Sequence, residues 1–221
     1  MFRNKWVVVL ALMALALPVA AVASAAGWSI SVLGGTGIPM GDFADQNLAD
    51  AQSGWQAGAM VDYALNDMWS LGVDGSFVKN THGAEGKTIN IGGGETATYT
   101  SDKFTTMQFG VHAMATLPGS GPIRFHGLLG LGTYSTKEKW EGSFTSLGST
   151  ITDNGESDNQ SGLGGRIGVG AMYAMSPMFG IGVDADYNMV SEDKDKVGFS
   201  SLQYVGVNGV VRYKIPMGGA K

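Results

Sequence analysis

The chain has 221 residues, with 14 Lys and Arg against 19 Asp and Glu and a formal net charge of −5 at pH 7. This acidic balance argues against nucleic acid as a partner, because phosphate recognition requires clustered positive charge. The absence of cysteine excludes disulfides and lipid attachment at a mature N-terminal cysteine. The 35 glycines are about twice the ordinary share of roughly 7%, and they recur inside apolar segments where soluble helices tolerate them poorly.

The first 26 residues are typical of a secretory signal peptide. Arg3 and Lys5 precede an apolar run over residues 6–17, which is followed by the small-residue stretch VAAVASAAG. A positive n-region, a short apolar h-region and an Ala-rich cleavage site define a Sec signal. We therefore predict cleavage of residues 1–26, after Ala25 or Ala26, and one domain over residues 27–221.

After this segment, apolar and polar residues alternate with period 2, which is the signature of strands with two different faces. In WQAGAMVDYAL, residues 55–65, Trp55, Val61 and Tyr63 fall on one parity. Gln56 and Asp62 fall on the other. Eight such strands are predicted, near residues 28–37, 54–65, 68–79, 104–117, 122–135, 161–175, 178–190 and 199–215.

Short and long connections alternate between these strands. The short ones are Asn66-Asp67, the PGSG stretch at residues 118–121, and Ser176-Pro177. The long ones are residues 38–53, 80–103, 136–160 and 191–198. In an up-and-down meander, such alternation places all short turns at one end. The pattern predicts an all-β fold, an eight-stranded antiparallel up-and-down transmembrane β-barrel with short periplasmic turns and long extracellular loops.

The charged residues within the predicted strands lie on the parity opposite to the large apolar side chains. The amides Gln56, Gln108, Asn188 and Asn208 share that parity. All nine lysines of residues 27–221 instead fall in loops or at strand ends. An Arg or Lys facing lipid at mid-membrane costs about 2–4 kcal/mol, so this distribution indicates an apolar exterior and a polar lumen. The predicted lumen network consists of Asp62, Asp74, His112, Arg124, His126, Arg166, Asp184, Asp186 and Arg212.

Aromatic residues on the apolar parity form two groups along the meander, as expected for rings at the two membrane interfaces. The group at the short-turn end is Trp28, Tyr63, Trp69, Phe125, Tyr173, Phe179 and Tyr213. The group at the long-loop end is Trp55, Phe77 and Tyr187.

Three side-chain juxtapositions follow if the hairpins are centred on their turns. Centring on Gly119 sets His112 opposite His126 and Arg124 opposite Met114, and centring on Ser176 sets Arg166 opposite Asp186. A metal site, a catalytic pair and a polar plug are the alternatives for the two histidines. The ligands are scattered and no lipid-facing serine adjoins a histidine, which favours the plug. We expect no catalytic residue, no metal and no cofactor.

The stretch LGGTGIPMGDFADQNLADAQSGWQAGAMVDYAL, residues 33–65, contains the motif Gly37-x-Pro39-x-Gly41-Asp42-Phe43. It resembles the first-strand exit in sequences of the outer membrane protein beta-barrel domain family, and the whole strand pattern resembles the OmpA transmembrane-domain, OmpX, Ail and Opa type. The resemblance implies a monomeric protein of a Gram-negative cell envelope, with periplasmic N- and C-termini and contacts to outer-membrane lipids including lipopolysaccharide.

The sequence favours a structural or surface-interaction role, in adhesion or envelope integrity, with a lumen filled by side chains. The alternatives are a small channel, a lipid-modifying outer-membrane enzyme and a soluble ligand-binding barrel. Residues 136–160 and 80–103 are the candidate surfaces for an extracellular partner. Alternation within residues 136–160 is compatible with a hairpin that continues above the membrane, and Trp140 and Phe144 are its candidate apolar anchors.

Overall fold

The computed structural model describes residues 27–46, 48–83, 85–93, 95–146, 149–191 and 201–216. The predicted signal peptide and most of the predicted connection at residues 191–198 lie outside these ranges. Within them the chain forms ten strands and one 3₁₀ helix, Gly41–Phe43. The strands are β1 (Gly27–Met40), β2 (Gly54–Ala64), β3 (Trp69–Thr81), β4 (Thr88–Gly92), β5 (Glu95–Thr116), β6 (Ile123–Ser146), β7 (Ser149–Glu156), β8 (Gln160–Ala174), β9 (Phe179–Ser191) and β10 (Ser201–Lys214).

Eight strands form a closed antiparallel barrel, which confirms the predicted fold class. Their order is β5-β3-β2-β1-β10-β9-β8-β6, and β5 pairs with β6 to close the sheet. Strands β4 and β7 extend the ends of β5 and β6 beyond the barrel. No helix in the part of the chain that the structure describes is long and apolar enough to cross a membrane.

Three short connections join neighbouring strands at one end of the barrel, as the alternation of connection lengths predicts. In the β2–β3 turn, Asn66 Oδ1 accepts hydrogen bonds from the backbone N–H groups of Met68 at 2.9 Å and Trp69 at 2.8 Å. In the β8–β9 turn, Ser176 Oγ accepts from the N–H of Phe179 at 3.0 Å. Both are side-chain-stabilised turns of the kind Asn and Ser favour.

Two of the predicted long connections consist largely of strands. Residues 80–103 were expected to be a loop, but they contain β4 and the beginning of β5. The prediction was wrong here because glycines and threonines obscured the period-2 pattern of TINIG and ETATYT. In residues 136–160 the hairpin does continue, since β6 runs to Ser146 and β7 follows at Ser149–Glu156.

The outward face of the barrel is apolar. Leu129, Ile167 and Val169 are 59%, 60% and 66% exposed, and Phe109 is 67% exposed. Between the aromatic groups, no outward-facing position in the described barrel strands is Lys, Arg, Asp or Glu. Side chains this apolar and this exposed require a hydrocarbon surrounding.

The lumen contains two apolar clusters that the sequence pattern did not predict. The lower cluster, toward the short turns, is Leu33, Met60, Met114, Leu128, Met172 and Val210. The upper cluster, toward the long connections, is Phe43, Ala49, Ala51, Val78, Phe104, Tyr134, Val190, Leu202 and Tyr204. The sequence pattern predicts a polar lumen. Polar groups instead share the lumen with these two apolar clusters.

The upper cluster is completed by the β1–β2 connection, which folds into the mouth of the barrel. Phe43 of the 3₁₀ helix is fully buried, and its ring centroid lies 5.3 Å from that of Phe104. Asn80 Nδ2 donates to the carbonyl oxygens of Gly37 at 3.0 Å and Gln52 at 2.9 Å. This connection is therefore a cap fixed at both ends.

Candidate functional site

A buried imidazole is at the centre of the polar part of the lumen. His112 Nδ1 lies 2.7 Å from Asp74 Oδ1, and His112 Nε2 lies 2.6 Å from Asp62 Oδ1. The histidine side chain is completely buried. Since an ionised carboxylate can only accept, the two short contacts require either an imidazolium or a proton on one aspartate. The three groups form one proton-sharing unit.

Asp74 joins this unit to the opposite part of the wall. Gln108 Nε2 donates to Asp74 Oδ2 at 2.6 Å, and Ser76 Oγ donates to Gln108 Oε1 at 2.9 Å. Arg166 Nη2 lies 3.1 Å from Asp74 Oδ1, outside hydrogen-bonding geometry. With His112 and Arg166 positive and both aspartates negative, the formal charges of the cluster cancel.

A second network is built mostly from amides. Asp186 accepts from Asn188 Nδ2, and its Oδ2 accepts from Asn208 Nδ2 at 3.2 Å. Gln56 Nε2 donates to Asn208 Oδ1 at 2.6 Å, and the hydroxyl of Tyr134 donates to Asn188 Oδ1 at 2.9 Å. Sequence reasoning placed the amides on the inner face but missed Tyr134, whose even position on β6 is the parity signal that identifies it.

The remaining predicted lumen residues lie apart from these networks. His126 Nε2 is 3.1 Å from Asp184 Oδ1. Arg212 Nε donates to Ser31 Oγ at 3.0 Å, and its Nη2 lies 3.6 Å from Met114 Sδ. Arg124 is exposed at the short-turn end.

The predicted pairing of the two histidines is wrong. His112 faces Gly130 and His126 faces Thr116, a register four residues from the predicted one. Four residues correspond to about 13 Å along a strand, and each histidine has its own carboxylate partners. Residues 117–122 form an asymmetric connection in which Pro118 and Pro122 lack the N–H that a symmetric ladder needs.

Two further predicted juxtapositions fail for the same reason. Arg124 faces Met172 of β8, and Met114 faces Leu128. Arg166 faces Asn188 and not Asp186, because the β8–β9 pairing is centred on Pro177 rather than Ser176. The ion pair that Arg166 does form crosses the lumen to Asp74.

Each lumen histidine lies against a glycine of a neighbouring strand. A Cβ built on Gly72 would lie 2.6 Å from His112 Nε2, and one built on Gly170 would lie 2.6 Å from His126 Nε2 and 2.1 Å from Asp184 Oδ1. Any side chain at these positions would displace the ring. Glycine is therefore the residue that creates space for each imidazole.

The aromatic residues point outward at both ends of the apolar band. Ring centroids are 5.0 Å apart for Trp28 and Tyr63, and 5.6 Å apart for Phe179 and Tyr213, at the short-turn end. Trp69, Phe125 and Tyr173 are also exposed at that end. At the other end Trp55 and Phe77 lie 5.0 Å apart, and the hydroxyl of Tyr187 donates to Gln203 Oε1 at 2.8 Å.

Beyond the long-connection end, β4, β5, β6 and β7 form an open sheet that we call the upper sheet. Its strands have lost their barrel neighbours, since β3 ends opposite Lys103 and β8 ends opposite Thr136. On the face continuous with the lumen, one apolar row crosses all four strands: Ile89, Ala97, Phe144 and Ile151. The opposite face carries rows of hydroxyl and amide side chains, Thr88-Thr98-Ser143-Thr152 and Asn90-Thr96-Thr145-Thr150.

At the base of the upper sheet, two carboxyl groups are in contact near a histidine. His82 Nδ1 lies 3.7 Å from Asp102 Oδ2. Burial raises the pKa of the Asp102 carboxyl, and the nearby imidazole of His82 opposes that effect only partly. Burial and the neighbouring Asp102 also raise the pKa of Glu138. By contrast, hydrogen bonds from Lys137 and Lys139 lower the pKa of Glu156.

Among the residues that the structure describes, no group of three or more His, Asp or Glu side chains is placed to hold a metal ion. The His112 and His126 sites each combine one imidazole with carboxylates that it already contacts directly. Both imidazoles are therefore already in contact with side chains of the protein itself.

A closed eight-stranded barrel with an apolar outer band, two aromatic groups and a filled lumen defines the class of outer-membrane β-barrel proteins. Residues 7–218 match the family described as outer membrane protein beta-barrel domain, and the chain belongs to this family.

The chain is similar to several solved structures of low sequence identity. Neisserial surface protein A shares 14% identity and a TM-score of 0.53, covering 87% of this chain and 100% of that one. Ail of Yersinia pestis shares 19% identity and a TM-score of 0.44, covering 86% of this chain and 99% of that one. OprG of Pseudomonas aeruginosa shares 13% identity and a TM-score of 0.44, covering 87% of this chain and 98% of that one. Sequence comparison with curated proteins gives no significant match.

Proposed function

We propose that the protein is a monomeric, non-catalytic outer-membrane barrel whose lumen is a structural plug and whose upper sheet contacts a partner outside the cell. In this orientation the short turns and both termini face the periplasm, after Sec export and removal of residues 1–26. The two aromatic groups then contact outer-membrane lipids, including lipopolysaccharide at the outer leaflet.

The filled lumen supports a structural role over a channel. The His112–Asp74–Arg166 cluster lies inside the barrel together with two apolar clusters, and the upper cluster is completed by the cap. Opening a path would leave Arg166 or Asp74 buried without its counter-charge, which costs several kcal/mol. The side chains that occupy the lumen therefore stabilise the barrel.

The apolar row of the upper sheet is the observation that carries the surface role. Ile89, Phe144 and Ile151 are 43%, 36% and 66% exposed, beyond the aromatic group that ends the membrane band. Trp140 lies on the same face, and its ring would contact a Cβ placed on Gly155 at 2.4 Å. A contiguous apolar row in water is characteristic of an interaction surface, and neither the barrel wall nor the plug needs it.

The binding test compares the two faces of the upper sheet. In intact cells, surface cross-linking and capture through the F144S/I151S double variant are expected to recover at least tenfold less partner than the wild type. The matched control T145S/T152S changes two positions of the hydroxyl face and keeps capture unchanged. Equal capture by F144S/I151S and wild type would contradict the proposed surface.

The orientation is tested separately with single cysteines, because the chain has none of its own. A membrane-impermeant maleimide added to intact cells is expected to label Thr152→Cys of the upper sheet. It should label Asp67→Cys of the β2–β3 turn only after the outer membrane is permeabilised. The reverse pattern would place the upper sheet in the periplasm and refute the proposed topology.

A further inference from the structure

A cavity of about 780 Å³ opens at the short-turn end of the barrel. Its sides include the β2–β3 and β8–β9 turns, and the thioethers of Met114 and Met172 from the lower apolar cluster line it. Its volume is within the range of roughly 300–1,000 Å³ that is usual for small-molecule sites. The plug therefore does not fill the whole barrel, and this end retains an open chamber.

Three cationic side chains line the chamber: Arg124, Arg212 and Lys214. None of them has a carboxylate of the described residues within 4.0 Å. The chamber also contains Asp62, whose Oδ1 is held by His112, and Asp67 in the β2–β3 turn. The lining therefore carries one more positive than negative charge, and Asp62 is already neutralised by His112.

The two guanidinium groups have unused donors. Arg124 makes no hydrogen bond or ion pair with any residue in the described ranges. Arg212 uses Nε on Ser31, and the contact of its Nη2 is with the weak acceptor Met114 Sδ at 3.6 Å. Arginine presents five N–H donors in a planar fork that matches carboxylate and phosphate oxygens. The register places Arg124 opposite Met172 of β8 and Arg212 opposite Gly180 of β9, so the two arginines lie on one part of the chamber wall with two strands between them.

The rest of the lining combines hydroxyl and amide side chains with apolar residues, and methionines make its apolar part adaptable. Met68, Met114, Met172 and Met178 all line the chamber, together with Phe179. Methionine has three rotatable bonds and a polarisable thioether, so methionine-rich walls accommodate apolar chains of varying shape. Unpaired guanidinium groups beside such a wall are complementary to a molecule with an anionic head and an alkyl tail.

We propose that this chamber binds a single-chain amphiphilic oxyanion, a fatty-acid carboxylate or an alkyl phosphate. The head group accepts hydrogen bonds from Arg124 and Arg212, with Lys214 adding positive charge at the rim. The alkyl chain packs against Met114 and Met172. The ligand supplies the counter-charge that the protein itself does not provide at this end, and binding is independent of the upper sheet.

The test uses the full-length barrel in nanodiscs of zwitterionic lipid, with methyl-¹³C-methionine NMR as the readout. Dodecanoate and dodecyl phosphate are expected to shift the Met114 and Met172 signals saturably. Met107 faces outward opposite Phe77 and is 49% exposed, so it reports partition of the amphiphile into the bilayer. Equal, non-saturating shifts at Met107 and Met172 would reduce the effect to partition and overturn the proposal.

Three comparisons separate the parts of the proposal. Dodecyl maltoside, which has no charge, and inorganic phosphate, which has no tail, are each expected to bind at least tenfold more weakly than dodecyl phosphate. Equal binding of dodecyl maltoside would refute the role of the arginines, and equal binding of inorganic phosphate would refute the role of the methionines. Comparing dodecanoate with dodecyl phosphate identifies the preferred head group.

The variants Arg124→Gln and Arg212→Gln are each expected to weaken dodecyl phosphate binding at least tenfold. Arg124 is exposed and has no partner to lose, so its substitution leaves folding intact even where Arg212→Gln does not. The control Lys79→Gln removes a positive charge near the opposite end of the barrel and is expected to leave binding unchanged. Unaltered affinity in Arg124→Gln would exclude this chamber as the site.

Discussion

Strands β5 and β6 pass through two regions that differ in what surrounds them. In the barrel, each strand has two neighbours and separates lipid from lumen, whereas the upper sheet ends at β4 and β7 with both faces in water. Leu129 in the barrel and Ile151 in the upper sheet are 59% and 66% exposed, nearly the same. An apolar side chain exposed to lipid in the barrel stabilises the protein, whereas an equally exposed one in water on the upper sheet forms part of the proposed binding surface.

The two regions also differ in how far their ion pairs are buried. Asp74 in the barrel is buried and lies within 3.1 Å of both His112 and Arg166. Glu156 in the upper sheet lies 2.6 Å from Lys137 and 3.0 Å from Lys139, with its side chain 50% exposed. Water screens the second arrangement, so only the first contributes substantially to stability.

The largest effect on stability is expected when the buried carboxylate of this comparison is removed. Asp74→Asn leaves Arg166 without its counter-charge and should lower the free energy of unfolding by about 3–5 kcal/mol. Urea unfolding in lipid vesicles, followed by tryptophan fluorescence, measures it. The matched variant Glu156→Gln also removes a carboxylate with two cationic partners, and its unfolding midpoint should shift much less, because water screens this exposed pair. Equal effects of the two variants would show that burial of the pair does not matter.

A smaller effect on stability is expected when an arginine is placed on the apolar surface of the barrel, and this effect is compared with that of an arginine on the apolar row of the upper sheet. Leu129→Arg puts a guanidinium into the hydrocarbon region and should cost about 2–4 kcal/mol. Ile151→Arg, at a similarly exposed position in water, should change stability by no more than about 0.5 kcal/mol. The same unfolding measurement applies. If Leu129→Arg proved as harmless as Ile151→Arg, the outer band of the barrel would not be in contact with lipid.

Within the barrel, the glycine facing His112 allows a finer comparison. Gly72→Ala forces the ring away from its carboxylates and should lower stability by about 1–3 kcal/mol, typical of overpacking. Gly34→Ala is the control, because its Cβ would meet nothing closer than Gln56 O at 3.9 Å. That variant should remain within about 1 kcal/mol of the wild type or gain stability through reduced chain entropy. If both variants changed stability equally, the close approach of His112 would not be the reason for glycine at position 72.

The smallest expected effect is a pH dependence at the base of the upper sheet. Because burial raises the folded-state pKa of Asp102 above its ordinary value of 3.8, the folded protein keeps this proton to a higher pH than the unfolded chain does. The stability from this group is present below about pH 4 and is lost as pH rises through the raised pKa. Glu156 has a lowered pKa and acts oppositely, losing its contribution as pH falls.

Asp102→Asn should therefore flatten the decline in stability between acidic and neutral pH, and Glu156→Gln should remove the opposing decline at acidic pH. Hydrogen exchange of the β5 and β6 amides, recorded across this pH range, resolves the local effect. A steeper decline in Asp102→Asn than in the wild type would reverse the assigned direction.

The barrel was predictable from sequence because lipid and lumen impose strict alternation on every strand. The pairings were not, since register depends on turn geometry that Pro118, Pro122 and Pro177 alter locally. The lumen clusters were also missed, because Met60, Met114 and Met172 interrupt the polar parity without breaking the period. The ion pair between Arg166 and Asp74 crosses the lumen, and no local pattern encodes a contact between strands that are not neighbours.

One irregularity in β5 shows that the ladder can accommodate a change in strand length. Tyr99 faces Gly142 and Ser101 faces Glu141, so Thr100 is an extra residue in the ladder. Below it, even-numbered residues of β5 face inward, and above it odd-numbered residues do. Because Tyr99 and Ser101 already face consecutive residues of β6, loss of Thr100 would restore a regular ladder and leave every side chain on its present face. A one-residue deletion at this position can therefore shorten β5 without moving a side chain between the two faces of the upper sheet and without disturbing the barrel wall.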